Sequence, residues 1–174
     1  MCSGIIANLD KQYQAAIKYF DSALAKNPRL EVAYHERGNA YRNLKDYDKA
    51  ISDLSTAMLL GPHTSHWVER ARAYAASKKD YEKALLDANT AISKEKNYDA
   101  AYEIRAEIEE AMGNYKQARL DYDKGLELTA SKNRPLYLYC RGNFFMRINE
   151  FALAQADYLA AAKESAASDE RTTY

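Results

Sequence analysis

The sequence predicts an all-α protein, an α-α superhelix in which antiparallel helix pairs stack as a solenoid. Three observations predict it. Among 174 residues there are only 6 glycines and 3 prolines, and Ala, Lys, Glu, Leu and Tyr dominate, which is a helix-forming composition. A small residue then recurs at Gly4, Gly38, Ala71, Ala106 and Gly142, each followed twelve or thirteen positions later by an alanine: Ala16, Ala50, Ala84, Ala118 and Ala154. Finally, Phe20, Leu54, Ala88, Tyr122 and Tyr158 stand four beyond those alanines, and Ala23, Ala57, Ala91, Gly125 and Ala161 seven beyond. Spacings of four and seven put these residues on one helix face. Small residues let two helices approach, and the larger ones interlock.

Composition excludes several classes of function. Lys plus Arg equals Asp plus Glu, so the formal charge is zero and the basic footprint of a nucleic-acid binder is missing. No apolar run reaches the roughly 18 residues needed to span a bilayer, so no membrane insertion is expected. The start, MCSGIIANLDKQ, lacks the basic and apolar regions of a signal peptide. Cys2 and Cys140 are too few for a disulfide framework, and a reducing cytoplasm is the expected setting.

Taken in order, residues 1–30 make a partial unit whose first helix begins only at Met1 and whose second runs from about Tyr13 to Ala25. Residues 31–63 are the cleanest unit, with helices near 31–44 and 47–60, ended by Gly61-Pro62. Thr64 or Ser65 is positioned to cap the helix that opens residues 64–98. That unit carries one extra residue in its Ser77-Lys78-Lys79-Asp80 turn. Residues 99–134 follow, and Pro135 suits the first turn of the helix opening 135–168. Residues 169–174 read as a polar tail. Ala152, Leu153, Ala156, Leu159 and Ala160 give the last helix an apolar outer side. Three readings fit: the chain is a fragment of a longer array, its ends pack on something, including a second copy, or an Ala-rich end helix tolerates exposure.

An arginine precedes the small residue in four units, at Arg37, Arg70, Arg105 and Arg141. An aspartate follows the second-helix alanine by three in the same four, at Asp53, Asp87, Asp121 and Asp157. The first unit has Ser3 and Tyr19 there instead. Joint presence and joint absence predict a bidentate Arg–Asp pair within each unit that sets helix register; a row of arginines for anionic ligands is the alternative.

The period of about 34 residues resembles the tetratricopeptide repeat, on the leading residues Tyr34, Trp67, Tyr102 and Leu138, the internal small and aromatic positions above, and the closing Pro28 and Pro62. Lys96, Ala130 and Ala166 replace the proline later. The resemblance implies a right-handed solenoid and a non-enzymatic scaffold or adaptor that holds a protein or peptide partner in a groove lined by first helices. Carried onto this chain, the groove positions are His35, Asn39, Arg42 and Asn43, then Glu69 and Arg72, then Glu103 and Glu107, then Tyr139, Asn143 and Met146; Val32, Glu36, Val68, Glu110 and Arg147 flank them. Asn39 can bond a peptide backbone with both ends of its amide, and Arg42 and Arg72 can hold a carboxylate. Glu103, Glu107 and Glu110 form a mutually repelling acidic stripe that a basic ligand would relieve, and Tyr139 and Met146 add an adaptable apolar patch. A solvated helix face of mixed charge is the plainer alternative. A structural subunit joined through its end helices is the alternative function.

One subclass of this family clamps the carboxylate tail of heat-shock chaperones. The clamp positions here carry His35, Asn39, Glu69, Ala100 and Ile104, of which only Asn39 fits, so no such binding is expected. No enzyme motif stands out, and no cofactor is implied. His63 and His66 lie close in a turn, but with no acidic partner evident from the sequence they fall short of a metal site. Cys140 and His35 are too far apart in the repeat order to act as nucleophile and base.

Overall fold

The computed structural model describes residues 12–171. Among them the regular structure is entirely helical: α1 (Tyr13–Lys26), α2 (Glu31–Asn43), α3 (Tyr47–Leu60), α4 (Thr64–Ser77), α5 (Tyr81–Lys94), α6 (Asp99–Ala111), α7 (Tyr115–Leu128), α8 (Arg134–Arg147) and α9 (Phe151–Arg171). The chain divides into two compact units, one ending at Lys94 and the other starting at Glu95. In the first unit each helix packs on the next in sequence from α1 to α5, and α2 also touches α4. In the second, α6 packs on α7, α7 on α8 and α8 on α9. The small residue Gly4 and the proposed first helix of residues 1–30 lie outside the described residues.

Helix ends follow local chemistry, with two departures from expectation. Asp46 caps α3 by accepting from the Lys49 amide, and Asp80 accepts from the Lys83 amide at 3.1 Å. Lysine side chains reach back to both carboxylates, and these hydrogen bonds hold both aspartates below the usual carboxylate range. Pro135 occupies the first turn of α8. Neither Thr64 nor Ser65 caps α4, because the helix already begins at Thr64 and the extended residue before it is His63. The tail also differs: α9 runs on through residues 169–171, since nothing in Ser165 to Arg171 is a helix breaker. The tight turns inside each pair need one left-handed residue, supplied by Lys45, Lys78, Gly113 and Asn149. Only Gly113 takes that conformation without a steric cost.

The recurring small and large residues form the interfaces. Ala16, Ala50, Ala71, Ala84, Ala106, Ala118 and Ala154 are fully buried. A Cβ on Gly38 would sit 2.9 Å from Leu54 Cγ, and one on Gly142 would sit 2.8 Å from the Tyr158 ring. Glycine is therefore what lets α2 approach α3, and α8 approach α9. Where the residue opposite is the small Ala88, the first helix carries alanine, Ala71. Phe20, Leu54, Ile104, Ile108 and Phe144 fill the remaining core.

Candidate functional site

The four predicted Arg–Asp pairs hold each helix pair in register and so set the face that the first helices present. Arg37 grips Asp53 with Nε and Nη2 at 2.7 and 2.8 Å. Arg70 does the same to Asp87 at 2.8 Å and 2.8 Å, Arg105 to Asp121 at 2.8 and 2.7 Å, and Arg141 to Asp157 at 2.8 and 2.7 Å. All four aspartates are buried. The aspartate hydrogen bonds hold all four guanidiniums more firmly in their charged form than usual, against the cost of burial. Each stacks near an aromatic ring, Arg37 at Tyr34 and Tyr41, Arg70 at Tyr74, Arg105 at Tyr102 and Arg141 at Phe145. Committed to carboxylates in this way, they do not form a row for anionic ligands.

Sequence reasoning missed a further bond. Arg37 Nη1 donates to Asp21 of α1 at 2.6 Å, Arg70 Nη1 to Ser55 of α3 at 2.9 Å, and Arg141 Nη1 to Asp123 of α7 at 2.6 Å. The same arginine thus ties its own pair together and ties that pair to the preceding helix.

In the first unit, the predicted positions of α2 and α4 come together and pair in part with one another. Arg42 and Arg72 already hold a carboxylate, that of Glu69: Arg42 Nη2 donates to Oε2 at 3.1 Å, and Arg72 Nε lies 3.7 Å from Oε1. The Asn39 amide nitrogen contacts His35 Nε2 at 3.1 Å. Asn43 caps the end of α2 by donating to the Asn39 carbonyl at 2.8 Å. His35 Nδ1, Asn39 Oδ1, Arg42 Nε and His66 Nδ1 are buried without a hydrogen-bond partner.

An acidic group does accompany the paired histidines, contrary to expectation. Glu31, at the start of α2, places Oε1 2.6 Å from His66 Nε2 and Oε2 4.0 Å from His63 Nε2. The His66 ring also lies 4.9 Å from that of His35. Burial pushes the His66 imidazole below its ordinary range and His35 adds to this, while Glu31 opposes both. Among the described residues no group of three or more His, Cys, Asp or Glu is placed to hold a metal. None of the described helices is long and apolar enough to cross a membrane.

In the second unit, a pocket of about 440 Å³ opens against α6, α7 and α8, lined by Glu107, Glu110, Tyr115, Tyr122, Asn143 and Arg147 among others. Within the acidic stripe, Glu110 is already paired: Arg147 makes a bidentate pair with it, and the Tyr122 hydroxyl donates to Glu110 Oε2 at 3.1 Å. Burial pushes the Tyr122 phenol up, with Glu110 and Glu107 adding to it. Cys140 lies 3.7 Å from Glu103 Oε1. Tyr158 donates to Asn143 Oδ1 at 2.8 Å. Tyr139 and Met146 are exposed.

Residues 32–64 match the family model of the tetratricopeptide repeat. Human tetratricopeptide repeat protein 28 is 38% identical over 53 residues, which are 30% of this chain and 2% of that protein. This chain contains a tetratricopeptide repeat, at residues 32–64. The match to the human relative spans a small fraction of its length. Among solved structures, a thermophilic tetratricopeptide protein from Thermus thermophilus aligns with a TM-score of 0.85 at 19% identity, over 94% of this chain and 89% of that one. The first tetratricopeptide domain of Spaghetti (RPAP3), bound to the HSP90 peptide SRMEEVD, aligns with a TM-score of 0.55 at 29% identity, over 72% and 91%. The fold of this chain is the all-α repeat fold of these proteins, and that fold generally mediates protein–protein interaction.

Proposed function

We propose that this chain is a non-enzymatic scaffold or adaptor, set in the cytoplasm, that holds a segment of a partner protein on the face of its first helices. The observation that carries this reading is the pocket of the second unit. Glu107 of α6 and Asn143 of α8 line it together with the Glu110–Arg147 pair, and the Tyr115 and Tyr122 rings wall it. With Oδ1 engaged by Tyr158, the Asn143 amide nitrogen suits a peptide carbonyl. Neutral net charge argues against nucleic acid as the ligand.

The Spaghetti domain is bound to an HSP90 peptide, yet the proposed ligand here is different. In the first unit Glu69 places an acid where a carboxylate tail would need a donor, and the Asn39 amide nitrogen faces His35. In the second, Ile104 is buried in the core.

Selection of peptides from a random displayed library against the immobilised chain tests the reading. Selected peptides should lose about tenfold or more in affinity on Glu107→Gln with Asn143→Ala, measured by fluorescence polarisation, while the unfolding midpoint holds. Equal affinity for the variant would sink the assignment of this face.

A further inference from the structure

The bond that Arg37, Arg70 and Arg141 send to the preceding helix lands at one register position. It is the fifth residue after the buried alanine: Asp21 after Ala16, Ser55 after Ala50 and Asp123 after Ala118. In each case the acceptor lies on the side where the next helix packs. The same position on α9, five after Ala154, is Leu159, and 64% of its surface is exposed. A further helix carrying the usual arginine would set a guanidinium donor over a leucine side chain that cannot accept, which is costly for a desolvated charge.

Next to Leu159 in α9, Tyr158, Ala161 and Ala162 border a largely apolar depression. This depression, of about 600 Å³ between α8 and α9, is lined by Pro135, Leu136, Tyr139, Tyr158 and Ala162, among others. Leu136 and Tyr139 are 59% and 54% exposed. In the first unit, the residue in register with Tyr139 is His35, and its ring is covered by His66 of α4. Tyr139 therefore stands where the first unit has a covering helix. The Arg134–Glu164 ion pair lies beside this surface, on the same two helices, and no charged side chain lines the depression.

We propose that this face of α8 and α9 is a self-association surface on which a second copy of the chain docks, related by a twofold axis near Leu159. An occupant must be apolar and must bring no cation to position 159, and the identical patch of a second copy meets both conditions. A twofold contact sets the same patch against itself, so it closes at a dimer. The zero net charge means that two copies do not repel. This assignment is independent of the peptide-binding reading.

Multi-angle light scattering of the full chain, from low micromolar to near millimolar, tests it. The expected result is a shift from 19.8 kDa towards twice that mass. Leu159→Asp, which places at 159 the acid that α1 and α7 carry, should raise the dimer dissociation constant about tenfold or more with the far-ultraviolet spectrum unchanged. Leu86→Asp, at an exposed leucine of α5, should leave the dimer intact. A monomer at every concentration overturns the proposal. So does a dimer that survives Leu159→Asp, or one that only Leu86→Asp dissociates.

Discussion

Asp87→Ala should leave the Arg70 guanidinium with one neutral acceptor, Ser55, and the nearby ring of Tyr74. The pair it breaks is bidentate at 2.8 Å and 2.8 Å, with side-chain exposures of 21% for Arg70 and 5% for Asp87. Breaking a buried pair from one side costs about 3–5 kcal/mol. Water reaches the outer edge of Arg70, so the lower end applies to Asp87→Ala, about 3 kcal/mol. Arg70→Met keeps the stem but strands the more deeply buried Asp87, and about 3–4 kcal/mol is expected. The double variant removes both charges and leaves mainly a cavity, costing about 3–4 kcal/mol. The cycle should therefore show coupling of about 2–4 kcal/mol. The single tryptophan of the chain, Trp67, lies on α4 with Lys94 Nζ 4.6 Å above its ring, so its fluorescence in a urea titration reports this helix pair. Coupling below about 0.5 kcal/mol, the ordinary scatter of independent sites, would refute the claim that these pairs act as single structural units.

Three further outcomes are expected. Gly142→Ala drives a Cβ to 2.8 Å from the Tyr158 ring; overpacking of about 1–3 kcal/mol outweighs about 1 kcal/mol of gained helix propensity, so the urea midpoint falls, and an unchanged midpoint would mean that Tyr158 simply moves aside. Lys45 sits at φ 64°, so Lys45→Gly should stabilise by about 0.5–1 kcal/mol, and a thermal melt that does not rise would contradict the strain. Because the folded state holds His66 below its ordinary 6.5, the unfolded chain takes up a proton first on acidification: stability is full above that value and declines as pH falls through it. His66→Gln should flatten this slope in urea midpoints measured from pH 8 to pH 5, and parallel slopes would count against it.

The fold could be read from the sequence because its determinants are residue types at fixed offsets. The Arg–Asp pairs announced themselves by joint presence. The third bond of Arg37, Arg70 and Arg141 did not, because its acceptor changes type, with Asp21, Ser55 and Asp123 sharing only a register. The left-handed turn positions were hidden because Lys45, Lys78 and Asn149 stand where glycine would have signalled them. In the candidate site, Asn39, Arg42, Glu69 and Arg72 do gather, but no spacing rule told that Glu69 would face Arg42 across two helices. Arg147 was named as a flanking position and Glu110 as part of an acidic stripe; that they neutralise each other depends on how α6 and α8 are set by α7 between them.

The change of acceptor type gives the seams between helix pairs different chemistry. Those joined through Asp21 and Asp123 are ionic, and these two carboxylates are 51% and 44% exposed, so dissolved salt screens them. The seam joined through the Ser55 hydroxyl carries no ion pair at that register position, and the Arg42–Glu69 pair that crosses it elsewhere is better shielded, with side chains 26% and 22% exposed. Rising ionic strength therefore loosens the Asp21 and Asp123 seams more than the seam at Ser55, so salt changes how evenly the array resists mechanical load.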